Sequence, residues 1–341
     1  MGSISRGTAF AIALAAALFV IAAQAAERTP IILGTATPGG GFELYGGVLA
    51  EVVNDVDPSL RVLPRPTKGS RQNIPLLEQG TLDVALVASL PAREAFEGIE
   101  RGEPTRLKII AAIYPTFGAF AVASDSPTQT FSDLVGERVA WGTRSSGLTL
   151  LAEYVTDALG LDRDRDYESV YLEQAGDGAP MVLAGDVAAL WGGGVGWPNF
   201  TRIMEADGRL LGLSEEQIRE VHAAYPFLQP LTVPTGSYPG QDDPLRTVGS
   251  FSFLLAREDL PDDVAYRLTK AIHAGQPVLA KRLLQGRDTL PENTWGAAGS
   301  PDRIHPGSLR YLMELGIADP TSSGKAPSPS LPRAETGQVV R

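Results

Sequence analysis

The chain has 341 residues, 43% of them hydrophobic and 20% charged, with a formal net charge of −11 and no cysteine. That length and apolar content suffice for two lobes, and the acidic balance argues against a nucleic-acid partner, which requires a basic surface. Without cysteine there can be no disulfide, thiolate metal site, thiol nucleophile or lipid-bearing residue behind a leader.

Residues 1–25 carry Arg6, then an apolar run over 9–23, and close on Ala23-Gln24-Ala25. This reads as a cleavable secretory signal peptide, cut near Ala25 or Ala26; the run is too short and alanine-rich for a membrane span. The mature chain is therefore expected in a periplasm, soluble and untethered. The end, 320–341, is rich in Pro and Ser. It buries too little apolar surface to offset chain entropy and is expected to be a disordered tail.

Between these ends, short apolar strands alternate with helix-length segments, which predicts an α/β fold with mostly parallel sheets. Strands are predicted at 30–35, 60–65, 84–88, 107–114, 120–124, 138–142, 167–172, 187–192 and 250–256. Helices are predicted at 45–54, 72–79, 131–135, 148–159, 179–184, 198–207, 214–224, 262–274 and 308–315. Extended crossings at 114–124, with Gly118 and Ala119, and at 245–253, with Gly249 and Ser250, divide the chain into a first lobe of 27–118 plus 250–319 and a second of 119–249. Such glycine-containing crossings suit a hinge. The segments Leu77-Glu78-Gln79-Gly80-Thr81-Leu82-Asp83-Val84 and Val182-Leu183-Ala184-Gly185-Asp186-Val187 share one pattern. It reads equally as generic helix-to-strand chemistry or as two lobes built on one plan.

Three strand-to-helix turns are candidate cradles. The first runs through Gly39, Gly40, Gly41, Phe42 and Glu43, the second through Thr67-Lys68-Gly69-Ser70-Arg71-Gln72-Asn73, and the third through Gly142-Thr143-Arg144-Ser145-Ser146-Gly147. In each, small residues let the backbone approach a guest, and the free N–H groups of the following helix favour an anion. Arg71 and Arg144 have the geometry to pair with a carboxylate. Gly192-Gly193-Gly194-Val195-Gly196-Trp197 follows a strand, with Trp197 a candidate cover for the guest or a packed turn residue.

Enzymatic signals are thin. His222, His273 and His305 lack metal-ligand spacing, and there is no Gly-x-Ser-x-Gly elbow and no Walker lysine. The glycine loop fails the dinucleotide fingerprint at Leu44. A hydrolase built on Ser146 with His305 has no supporting spacing. No cofactor and no metal are expected.

These motifs, in their order, resemble the TAXI-type extracytoplasmic solute receptors of TRAP transporters over nearly the whole mature chain. The likeness rests on the glycine-rich loop of 31–47, Gly69-Ser70-x-x-Asn73 before Leu77-x-x-Gly80-x-x-Asp83, and Leu134-x-Gly136-x-Arg138 before Ser145-Ser146-Gly147. It continues through Gly185-Asp186-Val187-Ala188, Pro234-Thr235-Gly236-Ser237-Tyr238-Pro239-Gly240 and Ile304-His305-Pro306-Gly307-Ser308. The resemblance implies a monomeric, two-lobed, hinge-closing receptor that binds a small solute, typically a carboxylate such as glutamate or 2-oxoglutarate, and delivers it to a sodium-driven TRAP permease. Its pocket positions would be Gly40, Gly41, Phe42, Ser70, Asn73, Ser146, Gly147 and Tyr238. The other reading is a sensory module that presents a solute-dependent surface to a membrane sensor. Three departures stand out: Glu43 places an acid in the anion loop, Leu148 replaces a hydroxyl, and Pro75 predicts a helix starting late, near Asn73.

Overall fold

The computed structural model describes residues 29–318, so the expected leader and tail lie outside the described residues. The chain begins with β1 (Thr29–Gly34), α1 (Gly41–Val56), β2 (Leu60–Arg65), α2 (Ser70–Glu78), β3 (Val84–Val87) and α3 (Ser89–Glu97). β1 pairs in parallel with both β2 and β3. β4 (Lys108–Phe117) and β5 (Ala119–Val122) then lead into a second sheet, built from β6 (Arg138–Ala140), α4 (Gly147–Ala158), the short α5 (Arg163–Asp166), β7 (Glu168–Val170), α6 (Gly178–Leu183) and β8 (Ala189–Gly192). There β6 pairs in parallel with β7 and β8.

The two lobes therefore follow one plan, with spatial orders β2-β1-β3 and β7-β6-β8. The echoing segments of the sequence fall at equivalent places, between α2 and β3 and between α6 and β8. Gly80 and Gly185 both take left-handed φ values, 68° and 74°, as the residue closing a helix often does. The aspartates differ in use: the Asp83 carboxylate accepts from Ile32 N and Arg257 Nε, whereas Asp186 offers its backbone oxygen to Arg138.

α7 (Pro198–Glu205), β9 (Arg209–Leu211), α8 (Glu215–Ala224), β10 (Gln229–Val233) and β11 (Leu245–Ala256) follow, and α9 (Asp262–Arg282), α10 (Pro291–Ala298) and α11 (Pro306–Glu314) complete the described chain. The expected α/β architecture is present, but both sheets are mixed where mostly parallel ones were expected. β11 runs antiparallel to β3, β4 and β10, and β5 antiparallel to β8 and β9. A strand that crosses to the other lobe and one that returns must run in opposite directions, and here the two pair with each other. Both faces of each sheet are covered, so Val84–Val87 is buried at every position.

Several differences from the sequence reading have local causes. β10 was not predicted; it contains Pro230, which an edge strand tolerates. α3 and α10 were not predicted either; Pro91 and Pro291 lie in their first turns, where proline is accepted. α2 starts at Ser70 rather than near Asn73 and runs through Pro75. α9 continues eight residues past the expected end at Ala274, through Gly275 and Pro277, because a Cβ on Gly275 would lie 2.4 Å from Val52 and the glycine lets α9 lie close on α1. The helix expected at 131–135 is a single 3₁₀ turn, Ser132–Leu134.

α9 also carries His273, which is stacked on Tyr311 with neither ring nitrogen hydrogen-bonded. Burial lowers its pKa from 6.5 to about 4, while burial raises that of Asp288 from 3.8 to about 6. His273 is thus neutral in the fold, and its contribution to stability is lost as pH falls from about 6.5 to about 4. Asp288 has the opposite sign, contributing below about 4 and losing that contribution as pH rises through about 6. His273→Leu should therefore gain melting temperature relative to the parent as pH is lowered from 6.5 to 4, measured by calorimetry. Parallel profiles for parent and variant would contradict this.

Candidate functional site

α1, α2 and α4 each begin directly after a strand-to-helix turn. Gly40 and Gly69 cap α1 and α2 without any side-chain hydrogen bond, and Ser146 caps α4 by accepting from Leu148 N. Gly69 has φ 111° and ψ −165°, a region open only to glycine. The leading N–H groups of a helix have no partner within it. Those of all three helices are presented at one cavity between the lobes, because Gly40, Gly41, Gly69, Ser70, Ser146 and Gly147 all line it.

The lobes meet across this cavity in a crossed arrangement. The first turn of lobe one meets the second turn of lobe two: Gly176 N donates to Pro38 O (3.1 Å), Ala175 N to Thr37 Oγ1 (3.1 Å) and Asn199 Nδ2 to Gly39 O (3.3 Å). The second turn of lobe one meets the first turn of lobe two, where Arg71 N donates to Ser145 O (3.1 Å). Gly147 sits so close to lobe one that a Cβ there would lie 2.3 Å from the Ala88 methyl.

The cavity is narrow as the lobes stand, with about 70 Å³ of free space. Phe42, Tyr114, Trp191 and Trp197 supply aromatic walls, and Thr37, Ser70, Thr116, Thr143 and Ser146 supply hydroxyls. Lys68 is the one charged residue in the lining, and no carboxylate lies within 4.0 Å of its ammonium among the described residues. Tyr114 is fully buried, which pushes its pKa up and keeps the phenol neutral.

Seven of the sequence-derived candidates line the cavity: Gly40, Gly41, Phe42, Ser70, Ser146, Gly147 and Trp197. Six do not. Glu43 is exposed in the first turn of α1 and is not among the residues that line the cavity, so the acid of the loop stands outside the pocket. Arg71 turns outward toward Glu153 (3.8 Å), and the Arg144 guanidinium stacks on Tyr171 at 3.7 Å. Ser145 contributes its carbonyl to the contact between lobes. Asn73 lies fully buried behind the turn, where its amide donates to Thr35 O and Leu86 O and ties the ends of β1 and β3 together. Tyr238 is buried one layer back and donates to Gly194 O at 2.5 Å, holding the glycine turn beside Trp197.

Lys68 was within reach of the sequence, since it belongs to the second of the three quoted turns. Trp191 carried no signal; it sits in a buried strand with Nε1 bonded to Leu148 O and differs from a core tryptophan only in the edge it shows to the cavity. The Ser146–His305 pair is not formed. Ser146 caps α4, while His305 caps α11 through Gly307 N and bonds Leu260 O through Nε2. Among the described residues no cluster of three or more His, Asp or Glu is placed to hold a metal, and no helix is long and apolar enough to cross a membrane.

The profile of the NMT1-like family matches residues 33–316. A solved structure described as a periplasmic transporter superposes with a TM-score of 0.53 at 14% identity, covering 84% of this chain and 92% of the other. A protein of Bordetella bronchiseptica RB50 superposes with a TM-score of 0.52 at 13% identity, covering 90% and 86%. The substrate binding protein of an amino acid ABC transporter gives a TM-score of 0.49 at 12% identity, covering 75% and 99%. The shared feature is the fold, an α/β architecture of the periplasmic-binding-protein type.

Two substitutions probe this geometry. Glu43→Gln should leave the affinity for a carboxylate solute within about twofold, because the side chain stands outside the pocket, and should cost α1 only about 0.5 kcal/mol of favourable charge at its N-terminus. A tenfold change in titration calorimetry would place Glu43 in the pocket after all. Gly147→Ala should fold yet hold the lobes apart at Ala88, giving a larger radius of gyration in solution scattering. An unchanged radius would mean that α3 yields instead.

Proposed function

The chain belongs to the NMT1-like family, and from that premise we propose that it is a periplasmic receptor that captures a small carboxylate solute in the cleft between its lobes and hands it to a membrane permease of the TRAP type. The observation that carries this reading is the lining of the cleft: three helix N-termini and Lys68 converge on it, and no carboxylate does. An anion there meets oriented donors and partial positive charge without an opposing acid. The work is binding rather than catalysis, because the one hydroxyl considered as a nucleophile, Ser146, already caps α4.

Closure follows from the same contacts. The turns that present N–H groups to the cavity also form the bonds between Thr37, Pro38 and Gly39 and the second lobe, and between Arg71 and Ser145. A solute bound to both sets of turns favours the closed state by its differential affinity for it. The hinge is assigned to the paired crossing strands, where Gly249 lies opposite Phe117 and Gly118 N donates to Val248 O. The TRAP assignment rests on the ordered motifs from Gly39 to Gly307.

Carboxylate solutes at about 100 times their dissociation constant should stabilise the protein by about 2.7 kcal/mol and raise its melting temperature by several degrees. They should also shrink its radius of gyration. If no small carboxylate does either, the capture reading fails. Uptake that depends on this protein should collapse when the sodium gradient is dissipated; uptake that persists and follows ATP instead would overturn the TRAP assignment while leaving capture intact.

A further inference from the structure

We propose that the solute is a small monocarboxylate without an amino group, its apolar body held between the aromatic walls. This rests on the reading of the cleft as a solute-capture site and narrows it. Two features of the lining carry the inference, the count of full charges and the direction in which the hydroxyls are committed.

The lining holds one cation and no acid. A second carboxylate on the solute would need another full positive charge, and the two arginines of the neighbouring turns are engaged outside the cavity, Arg144 on Tyr171 and Arg71 toward Glu153. An ammonium group would find no carboxylate in the lining and only ring faces to offset the cost of taking its charge out of water. The nearest acid in the sequence of these turns, Glu43, lies outside.

The hydroxyls point to the same class. Ser70 Oγ accepts from Ala88 N (3.0 Å), Ser146 Oγ from Leu148 N (3.1 Å) and Thr37 Oγ1 from Ala175 N (3.1 Å). Each oxygen thus has a backbone donor fixed on it, and none of the three hydroxyl hydrogens has a protein acceptor among the described hydrogen bonds. Ser70 and Thr37 are themselves buried, 1% and 9% exposed. The site accordingly offers three hydroxyl hydrogens to carboxylate and keto or hydroxyl oxygens, while one of the two lone pairs on each of these oxygens is already taken. Beyond this polar end, Tyr114, Trp191 and Trp197 provide ring surface for carbon, and Gly41 lets both Trp197 and the Tyr114 hydroxyl approach within 4 Å of the position its Cβ would take.

The test uses matched skeletons and the full mature chain: pyruvate, 2-oxobutanoate, 4-methyl-2-oxopentanoate and phenylpyruvate, each beside the α-amino acid of the same carbon frame, with glutamate and 2-oxoglutarate added. In titration calorimetry at least one keto acid should bind ten or more times tighter than its amino partner and than both dicarboxylates. Lys68→Met should weaken that keto acid at least tenfold while leaving the melting temperature of the unliganded protein unchanged, because Lys68 is exposed. An amino acid or a dicarboxylate binding as tightly as the best keto acid would overturn this inference and leave solute capture standing. Unchanged affinity in Lys68→Met would also overturn it. Binding of none of the probes would overturn both.

Discussion

A helix cannot satisfy its own leading N–H groups, and the arrangement of this protein follows from where those donors are left. α1 and α4 occupy the same place in two copies of one plan, the first strand-to-helix turn of each lobe. When the lobes face each other, the first turn of one meets the second turn of the other, and the reverse. Some of the free donors and acceptors are used in that contact, such as Arg71 N on Ser145 O, and the rest surround the cavity. Contact between the lobes therefore draws on the same few backbone segments that line the cavity, which is why the turns tolerate so little side chain. A Cβ at Gly39 would lie 2.5 Å from the Gly176 backbone.

The second constraint is the pair of crossing strands. β4 and β11 pair along much of their length, with a register shift beside Pro115, whose missing N–H already interrupts the ladder. At the lobe boundary the strands come so close that a Cβ on Gly249 would lie 2.5 Å from Thr116 O, and Thr247 Oγ1 donates to Gly118 O. Here the ladder combines close backbone approach with irregular pairing, and this is where the proposed hinge would bend. The aromatic core of the second lobe begins immediately after it: the Phe120 ring lies 5.0 Å from Trp191, and Trp191 in turn shows an edge to the cavity. Core and pocket wall are thus joined through Phe120 and Trp191.

What the sequence made legible was the backbone. The glycine-rich turns, the alternation of elements and the echo around Gly80 and Gly185 all reflect requirements of local conformation, which a residue's own chemistry reports. Side-chain direction was less accessible. Arg71, Arg144 and Glu43 lie in the right turns, yet all three point outward, because at a helix start successive residues face in different directions and one position decides between pocket and solvent. Lys68 precedes Gly69, whose glycine-only conformation sets the direction of the turn at whose mouth the lysine lies. Three elements that the sequence reading left out contain a proline, Pro91, Pro230 or Pro291, which a first turn or an edge strand accommodates.

The electrostatic setting sharpens the role of those few donors. The whole chain carries a net charge of −11, and its cleft has no acid in its lining. Beyond about 8 Å, physiological salt screens the acidic surface, so an approaching anion is neither strongly steered nor strongly repelled. On the proposed capture reading, discrimination is left to the last few ångströms, where closing the lobes would remove water and strengthen each interaction of Lys68 and the helix N-termini with the guest. The same closure would bring the aromatic walls together around whatever the donors do not claim. A solute held at both ends of the cleft would then gain its polar and its apolar contacts in one step, and would favour the closed state to the extent that it supplies both.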